Sequence, residues 1–245
     1  MASTSETGHA VNIANFKKII DRCGEFGTRY HPENAALELA TMTTQWENAA
    51  EAHTTYLEKW GDTRVPINDR ENLFEGLDIV VGRSYNIYKS TEATARNKQD
   101  AKALAQKIRG INVVVRKLED GTPDPKYVST SHQSFIKKIE NFTNLVHLYK
   151  TDSTYATNET DLTTASLDSL LATMKLTNDA VEGLIAIAIG YRNERDHLLY
   201  DDKRGIVDVV QKCKSYVKGV YGGISPEAKS VVGIILRRFM RLKPV

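Results

Sequence analysis

Apolar residues recur at alternating intervals of three and four along two stretches of the chain, the spacing that places them on one face of an α-helix. In the second stretch this seam consists of Leu167, Leu171, Met174, Asn178, Val181, Ile185, Ala188, Arg192, Arg195 and Leu199. The positions 125 residues earlier carry Met42, Trp46, Ala49, His53, Tyr56, Trp60, Thr63, Ile67, Arg70 and Phe74. The pattern predicts two long helices of about 40 residues, near 34–74 and 159–199. Pro66 should kink the first, with a short loop over 61–66 as the alternative.

Shorter apolar stripes predict the remaining helices. One covers about residues 12–30 and is matched by a stripe over 135–149. Each long helix is followed by another stripe, from Leu77 to Tyr88 and from Ile206 to Val217. Final helices are expected near 97–109 and from 226 to about 238, the last with Ser225 as its N-cap and Pro226 at its first position.

Short segments of sequence recur in the same order along the chain. Residues 15–21 resemble 134–140, residues 30–37 resemble 155–162, and residues 68–73 resemble 193–198. We therefore predict an all-α, internally duplicated, elongated helical bundle. Its parts are a flexible N-terminus (1–11), a first helical repeat (12–110), a linker (111–131) and a second helical repeat (132–245). The linker combines β-prone and turn-rich segments, a composition that suits a small β-hairpin.

Four segments of the chain resemble a family of uncharacterised helical proteins of Bacteroidota. They are an aromatic-led helix at Phe16–Ile20, a cap of the type Tyr-x-Pro-x-Asn at Tyr30–Asn34, the end of a long helix at Arg195–Leu199, and a closing Val-Lys-x-Val-x-Gly-x-x-Ser-Pro pattern at Val217–Pro226. The resemblance covers nearly the whole chain and implies the same duplicated helical fold. It implies no activity.

Composition narrows the class of protein. The chain has 245 residues, of which 41% are hydrophobic and 26% charged, with a net charge of +2, as expected of a globular protein. Its longest apolar stretch, 183–190, is much shorter than the roughly 20 residues that cross a bilayer. The first residues lack the features of a secretory signal. Cys23 and Cys213 lie far apart within helical patterns, so we expect inert thiols and a cytoplasmic location.

Charged residues, histidine or asparagine interrupt the predicted seams at five positions: His53, Arg70, Asn178, Arg192 and Arg195. A buried arginine needs a partner, and the candidates nearby in sequence are Asp69, Asp78, Glu194 and Asp208. We interpret Arg70 and Arg195 as members of interhelical ion pairs, with an anion-binding pocket as the alternative. His53 and Asn178 are expected to be satisfied core residues that fix helix register, and both tryptophans are expected in the core.

One segment has the spacing of a metal site. Glu194 and His197 form a Glu-x-x-His pattern, which places a carboxylate and an imidazole on one side of a helix. The corresponding positions of the first repeat hold Asp69 and Asn72, so the second half of a dinuclear site is missing. We therefore interpret Glu194 and His197 as part of a solvated turn, and metal binding remains the weaker alternative. The sequence contains no nucleotide-binding or catalytic motif, and we expect no cofactor.

Charge is uneven along the chain. Residues 212–243 carry eight basic residues against one acidic residue. The candidates for contact with an anion or a nucleic acid are Lys212, Lys214, Lys218, Arg237, Arg238, Arg241 and Lys243. Residues 150–190 are acidic, so this basic region equally suits contact between molecules of the protein. We predict a non-enzymatic protein that acts by self-association or by binding a protein partner. A nucleic-acid-associated role is the alternative.

Overall fold

The computed structural model describes residues 8–111 and 133–239, and these residues form helices and connecting segments without a strand. The helices are α1 (His9–Glu25), α2 (Leu39–Gly61), α3 (Arg64–Ser90), α4 (Ala95–Arg109), α5 (Phe135–Thr151), α6 (Thr164–Tyr200), α7 (Ile206–Tyr221) and α8 (Pro226–Val232). Single 3₁₀ turns lie at Gly27–Arg29, Ala35–Leu37 and Thr160–Leu162. The prediction of an all-α fold is confirmed. The suggested hairpin falls in the linker, almost all of which lies outside the described residues.

Side-chain caps fix the start of three helices. The side chains of Thr94, Ser134 and Ser225 accept hydrogen bonds from the backbone N–H three residues later, at the first turns of α4, α5 and α8. Each of these bonds satisfies a donor that the helix itself leaves unpaired. The cap predicted at Ser225, with Pro226 as the first helical residue, is therefore confirmed.

The two predicted long helices differ. The second is present as α6, an uninterrupted helix of 37 residues. The first is divided into α2 and α3 by Asp62 and Thr63. Pro66 lies in the first turn of α3 and has no N–H to donate to the carbonyl of Asp62, so the helix pattern is interrupted just ahead of it. Asp62 and Thr63 both keep right-handed helical backbone angles, so the interruption is local and agrees with the predicted kink at Pro66, not with a loop over 61–66.

The prediction that a separate helix follows residue 74 is wrong, because α3 continues to Ser90. The corresponding place in the predicted second repeat carries a tight turn between α6 and α7, in which Lys203 adopts a φ of 69°. A Cβ added at Gly205 would lie 2.6 Å from the backbone nitrogen of Asp201, so this turn requires glycine there. Phe74 and Leu77 correspond to Leu199 and Ile206, which flank this turn. Only two residues separate Phe74 from Leu77, too few to form such a turn, so α3 continues without a break.

The last helix is shorter than predicted. It ends at Val232 instead of near Arg238, and the residues after it are held by α1. The Asn12 side chain donates to the carbonyl of Arg237 at 2.7 Å and accepts from its N–H at 3.0 Å. Asn15 donates to the carbonyl of Ile235 at 3.0 Å. These bonds replace the helical hydrogen bonds that residues 235–237 would otherwise make.

The chain divides into two compact units, one formed by residues 1–62 and 184–245 and the other by residues 63–183. We call them the terminal unit and the central unit. The units group residues by proximity in space, whereas the predicted repeats are segments of sequence, so the repeat boundaries remain a prediction.

Each unit has its own apolar core. The terminal unit packs α1, α2, the end of α6, α7 and α8 around buried residues that include Phe16, Ile19, Met42, Leu199, Val210 and Val217. The central unit packs α3, α4, α5 and the start of α6 around Phe74, Leu77, Tyr88, Phe142, Leu145 and Met174. Trp46 lies against the first core. Trp60 was expected in the core but is 39% exposed, because it falls in the last turn of α2.

Candidate functional site

Arg70 occupies a buried site in the central unit. Its side chain reaches from α3 to α6, where Nη1 donates to Asn178 Oδ1 at 3.2 Å and to Glu182 Oε1 at 2.9 Å. The guanidinium lies 4.2 Å from the centre of the Phe135 ring. Arg70 is only 7% exposed, whereas the Glu182 side chain is 58% exposed, so the ion pair joins the core to the surface. An aromatic ring and an amide oxygen replace much of the water that the cation loses.

Arg195 occupies a comparable place in the terminal unit. It is 3% exposed, and both Nε and Nη2 donate to Asp196 Oδ1, at 3.0 and 2.6 Å. The guanidinium lies 4.5 Å from the centre of the Tyr56 ring. Burial, followed by the positive charge of Arg195, lowers the pKa of His53 below its usual value.

Arg70 forms the predicted interhelical ion pair, between α3 and α6, although with a partner that was not predicted. The prediction of an interhelical ion pair is wrong for Arg195, because its partner Asp196 is the next residue of the same helix. Glu182 and Asp196 take the places proposed for Asp69, Asp78, Glu194 and Asp208. Asp78 pairs instead with Lys138 at 3.7 Å, and Asp208 pairs with Arg238 at 3.0 Å. Arg192 is half-buried, and its Nε has no hydrogen-bond partner among the described residues.

A polar cluster that the sequence did not indicate lies at the end of α6, around Tyr200. The Tyr200 hydroxyl lies 2.8 Å from His9 Nδ1 and accepts a hydrogen bond from Asn12 at 3.2 Å. Burial is the main cause that raises the pKa of Tyr200. The ring of Phe239 packs against His9, with ring centres 5.4 Å apart. No spacing rule joins these residues, because they come from the two ends of the chain and from α6.

An open cleft of about 560 Å³ lies beside this cluster, lined by Asn193, Asp196, His197, Tyr200, Asp201, Asp202 and Arg238. His197 lines it, whereas Glu194 lines another cleft, of about 460 Å³, together with Asn48 and Glu51. Within the described residues no group of three or more histidine, cysteine, aspartate or glutamate side chains is arranged to hold a metal ion. The structure therefore adds no support to metal binding by Glu194 and His197.

Much of the basic C-terminal region is used inside the terminal unit. Lys212 donates to the carbonyl of Lys203 at 2.7 Å, and Lys214 donates to the carbonyl of Val232 at 3.2 Å and to that of Ile234. Arg238 donates to the carbonyl of Tyr200 at 2.7 Å and pairs with Asp202 and Asp208. Burial lowers the pKa of Lys214. Lys218 and Arg237 are exposed, while Arg241 and Lys243 lie outside the described residues. Lys212 and Arg238 are themselves exposed, and the nucleic-acid hypothesis remains a prediction.

A second face of α6 is also apolar. Opposite the seam, the residues Ala172, Leu176, Ala180, Gly183, Ile187 and Gly190 follow one another at intervals of three and four, and all are exposed. We call these six residues the outer face of α6. Leu176 is 72% exposed and Ile187 is 51% exposed. Apolar and small side chains that follow one another along an exposed helix face make this face a candidate surface for contact with another protein.

None of the described helices combines the length and the apolar character that a membrane span requires. No protein-family model matches the chain, and neither a curated protein nor a solved structure matches it.

Proposed function

We propose that this protein acts without catalysis, by pairing with a second molecule of itself through the outer face of α6. The observation that carries the proposal is the row of exposed apolar and small residues along this helix. The polar side chains that would bring chemistry to a site, Arg70 and Arg195, are engaged inside the two units. The surface of α6 is therefore a better candidate for function than the buried arginines.

Two glycines on the outer face favour close contact with another helix. A Cβ added at Gly183 or Gly190 would meet nothing within 4 Å. Glycine in the middle of a helix lowers stability by about 0.5–1 kcal/mol relative to alanine. At these two positions no neighbouring atom of the molecule would clash with an added Cβ, so packing within the molecule does not explain the glycines. A second helix that approaches closely at these positions would account for their small size.

The order of residue sizes along the outer face suits pairing with an identical helix. From Ala172 to Gly190 the order is small, large, small, small, large, small, and it reads the same in both directions. An antiparallel partner helix would place Leu176 against Ile187 of the other molecule, and Ala180 against its Gly183. A surface that complements itself in this way is what a two-fold symmetric dimer requires.

Two pairs of equivalent contacts support the proposal that the fold is internally duplicated. The Tyr30 hydroxyl donates to the carbonyl of Leu37 at 2.8 Å, and the Tyr155 hydroxyl donates to the carbonyl of Leu162 at 2.7 Å. Both bonds span seven residues, and the two tyrosines are 125 residues apart, the offset of the sequence comparison. Arg70 beside Asn178 and Arg195 beside His53 are related by the same offset.

The proposal is tested by adding bulk at Gly183. In the isolated molecule the space around Gly183 is open to a larger side chain. Methionine is also a better helix former than glycine, so the thermal stability of the Gly183→Met variant should be unchanged or higher. Its dimer should dissociate at concentrations where the wild-type dimer persists, as measured by sedimentation velocity. Gly76→Met is the matched control, because Gly76 is an exposed, uncrowded glycine in the middle of α3. Equal dimerisation of both variants would refute the proposed interface.

A further inference from the structure

The two cysteines of the chain meet in the core of the terminal unit. Cys23 on α1 and Cys213 on α7 are separated by 190 residues of sequence, yet their Sγ atoms lie 3.5 Å apart. Both side chains are fully buried, and both thiols are free. The sequence predicted inert thiols, and nothing in the spacing of the two residues indicates that α1 packs against α7.

A chain of hydrogen bonds distinguishes the two sulfurs. Tyr30 uses its single hydroxyl proton in the bond to the carbonyl of Leu37, and its oxygen lies 3.6 Å from Cys213 Sγ. The Cys213 thiol is thus placed to donate to Tyr30, and the Cys23 thiol to donate to Cys213. The hydrogen bond to Cys213, followed by burial, raises the pKa of Cys23. The same hydrogen bond, received from Cys23, lowers the pKa of Cys213. Cys213 is therefore the sulfur that becomes a thiolate first.

We propose that Cys23 and Cys213 form a peroxide-oxidisable dithiol, which closes into a disulfide that joins α1 to α7. The sulfurs are in van der Waals contact and need to approach only from 3.5 Å to the bond length of about 2.05 Å. This is a modification site within the core and is independent of the proposed dimer interface.

The reaction proceeds in two steps with hydrogen peroxide as the oxidant. The Cys213 thiolate attacks one peroxide oxygen, the O–O bond breaks, and the departing hydroxide takes a proton to become water. Cys213 is then a sulfenic acid. The Cys23 sulfur attacks the Cys213 sulfur, the S–O bond breaks, and the departing hydroxide takes the Cys23 thiol proton to form a second water. Two thiols lose two electrons and two protons in total, and one peroxide is reduced to two waters.

Burial determines which oxidants reach the pair. Neither sulfur has a surface in contact with solvent, so a bulky disulfide such as oxidised glutathione requires the unit to open. Hydrogen peroxide is close to water in size and polarity and needs only a small fluctuation of the core. The pair therefore responds selectively to small peroxides.

The test treats the full chain with hydrogen peroxide at neutral pH, alkylates the remaining thiols and measures intact mass. The chain contains only two cysteines, so joint loss of both thiols, reversible by dithiothreitol, identifies one intramolecular disulfide. Digestion without reductant should then yield a linked pair of peptides containing Cys23 and Cys213. The proposal is overturned if the thiols of the folded protein stay reduced under conditions that oxidise the urea-unfolded chain. It is also overturned if oxidation gives disulfide-linked dimers.

A single variant tests the assigned roles. In Cys213→Ser the new hydroxyl can still donate to Tyr30, which favours an intact fold, and far-UV circular dichroism checks this. The remaining Cys23 thiol should react with peroxide at least about tenfold more slowly than the wild-type pair, because burial still disfavours its thiolate. Loss of Cys23 at the wild-type rate would contradict the assignment of Cys213 as the attacking sulfur.

Discussion

Arg70 donates a hydrogen bond of 3.2 Å to the side-chain oxygen of Asn178, across the buried contact between α3 and α6. The positions related to these by an offset of 125 residues hold Arg195 and His53, which interact within the other unit. Each pair thus combines an arginine from one predicted repeat with a polar residue from the other. This relationship connects the repeat pattern in the sequence to the packing of both cores.

Replacing Arg70 with leucine should destabilise the protein, because the buried side-chain oxygen of Asn178 loses its hydrogen-bond donor. We expect Arg70→Leu to lower the free energy of unfolding by about 1–3 kcal/mol. The double variant with Asn178→Leu should recover most of this loss, because both polar groups are then absent. Urea unfolding of the two single variants and the double variant measures the coupling. Strictly additive effects would show that the bond between Arg70 and Asn178 contributes nothing.

His53 should make the stability of the terminal unit depend on pH. Its pKa is lowered in the folded protein, so the unfolded chain binds the proton at a higher pH than the native one does. Stability is therefore greatest above pH 6.5, the ordinary histidine value, and decreases as the pH falls towards the lowered value. The His53→Asn variant, with the residue found at position 178, should lose this component. Urea titrations at pH 7.5 and 5.5 compare the two proteins, and an identical pH dependence would contradict the assignment.

Asn12 should hold the segment that follows α8 in place against α1. It is buried and forms two bonds with the backbone of Arg237 as well as one with Tyr200. We expect Asn12→Ala to destabilise the protein by about 1–3 kcal/mol and to remove the hydrogen-exchange protection of the Arg237 amide. Asn15→Ala is the control, since it removes only the exposed bond to Ile235 and should cost about 0.5 kcal/mol. Unchanged protection at Arg237 in the Asn12 variant would contradict this account.

The proposed equivalence of the two repeats predicts that two tyrosine hydroxyls both stabilise the fold, although the hydroxyl of Tyr30 also lies 3.6 Å from Cys213 Sγ. Tyr30→Phe and Tyr155→Phe each remove one buried hydroxyl and its bond to a carbonyl seven residues later. Each should lower the free energy of unfolding by about 1 kcal/mol, as measured by urea denaturation. A large effect at one tyrosine with none at the other would argue against corresponding roles.

The features of the fold that depend on local spacing were predictable from the sequence. The seam from Leu167 to Leu199 indicated α6, and the Ser-Pro pair at 225–226 marked the start of α8. The end of α8 was not predictable, because it depends on hydrogen bonds from Asn12, more than 200 residues earlier in the chain. Helical period locates a residue on a face but does not identify the helix that covers the face.

The same limit explains the candidate sites. The sequence indicated that Arg70 and Arg195 are buried and paired, because charged residues fell in apolar seams. It did not indicate Glu182 as a partner, since that choice depends on how α3 meets α6. The contact between Cys23 and Cys213 was missed for the same reason. The seam gave no indication of the outer face of α6, which lies on the opposite side of the helix.

Self-association through the outer face of α6 is the central claim, and the molar mass of the wild-type protein tests it most directly. Size-exclusion chromatography with light scattering over a range of concentrations should show a species of twice the chain mass of 27.4 kDa. Because the interface is apolar, this species should persist at high salt. A mass of 27.4 kDa at every concentration would contradict the account.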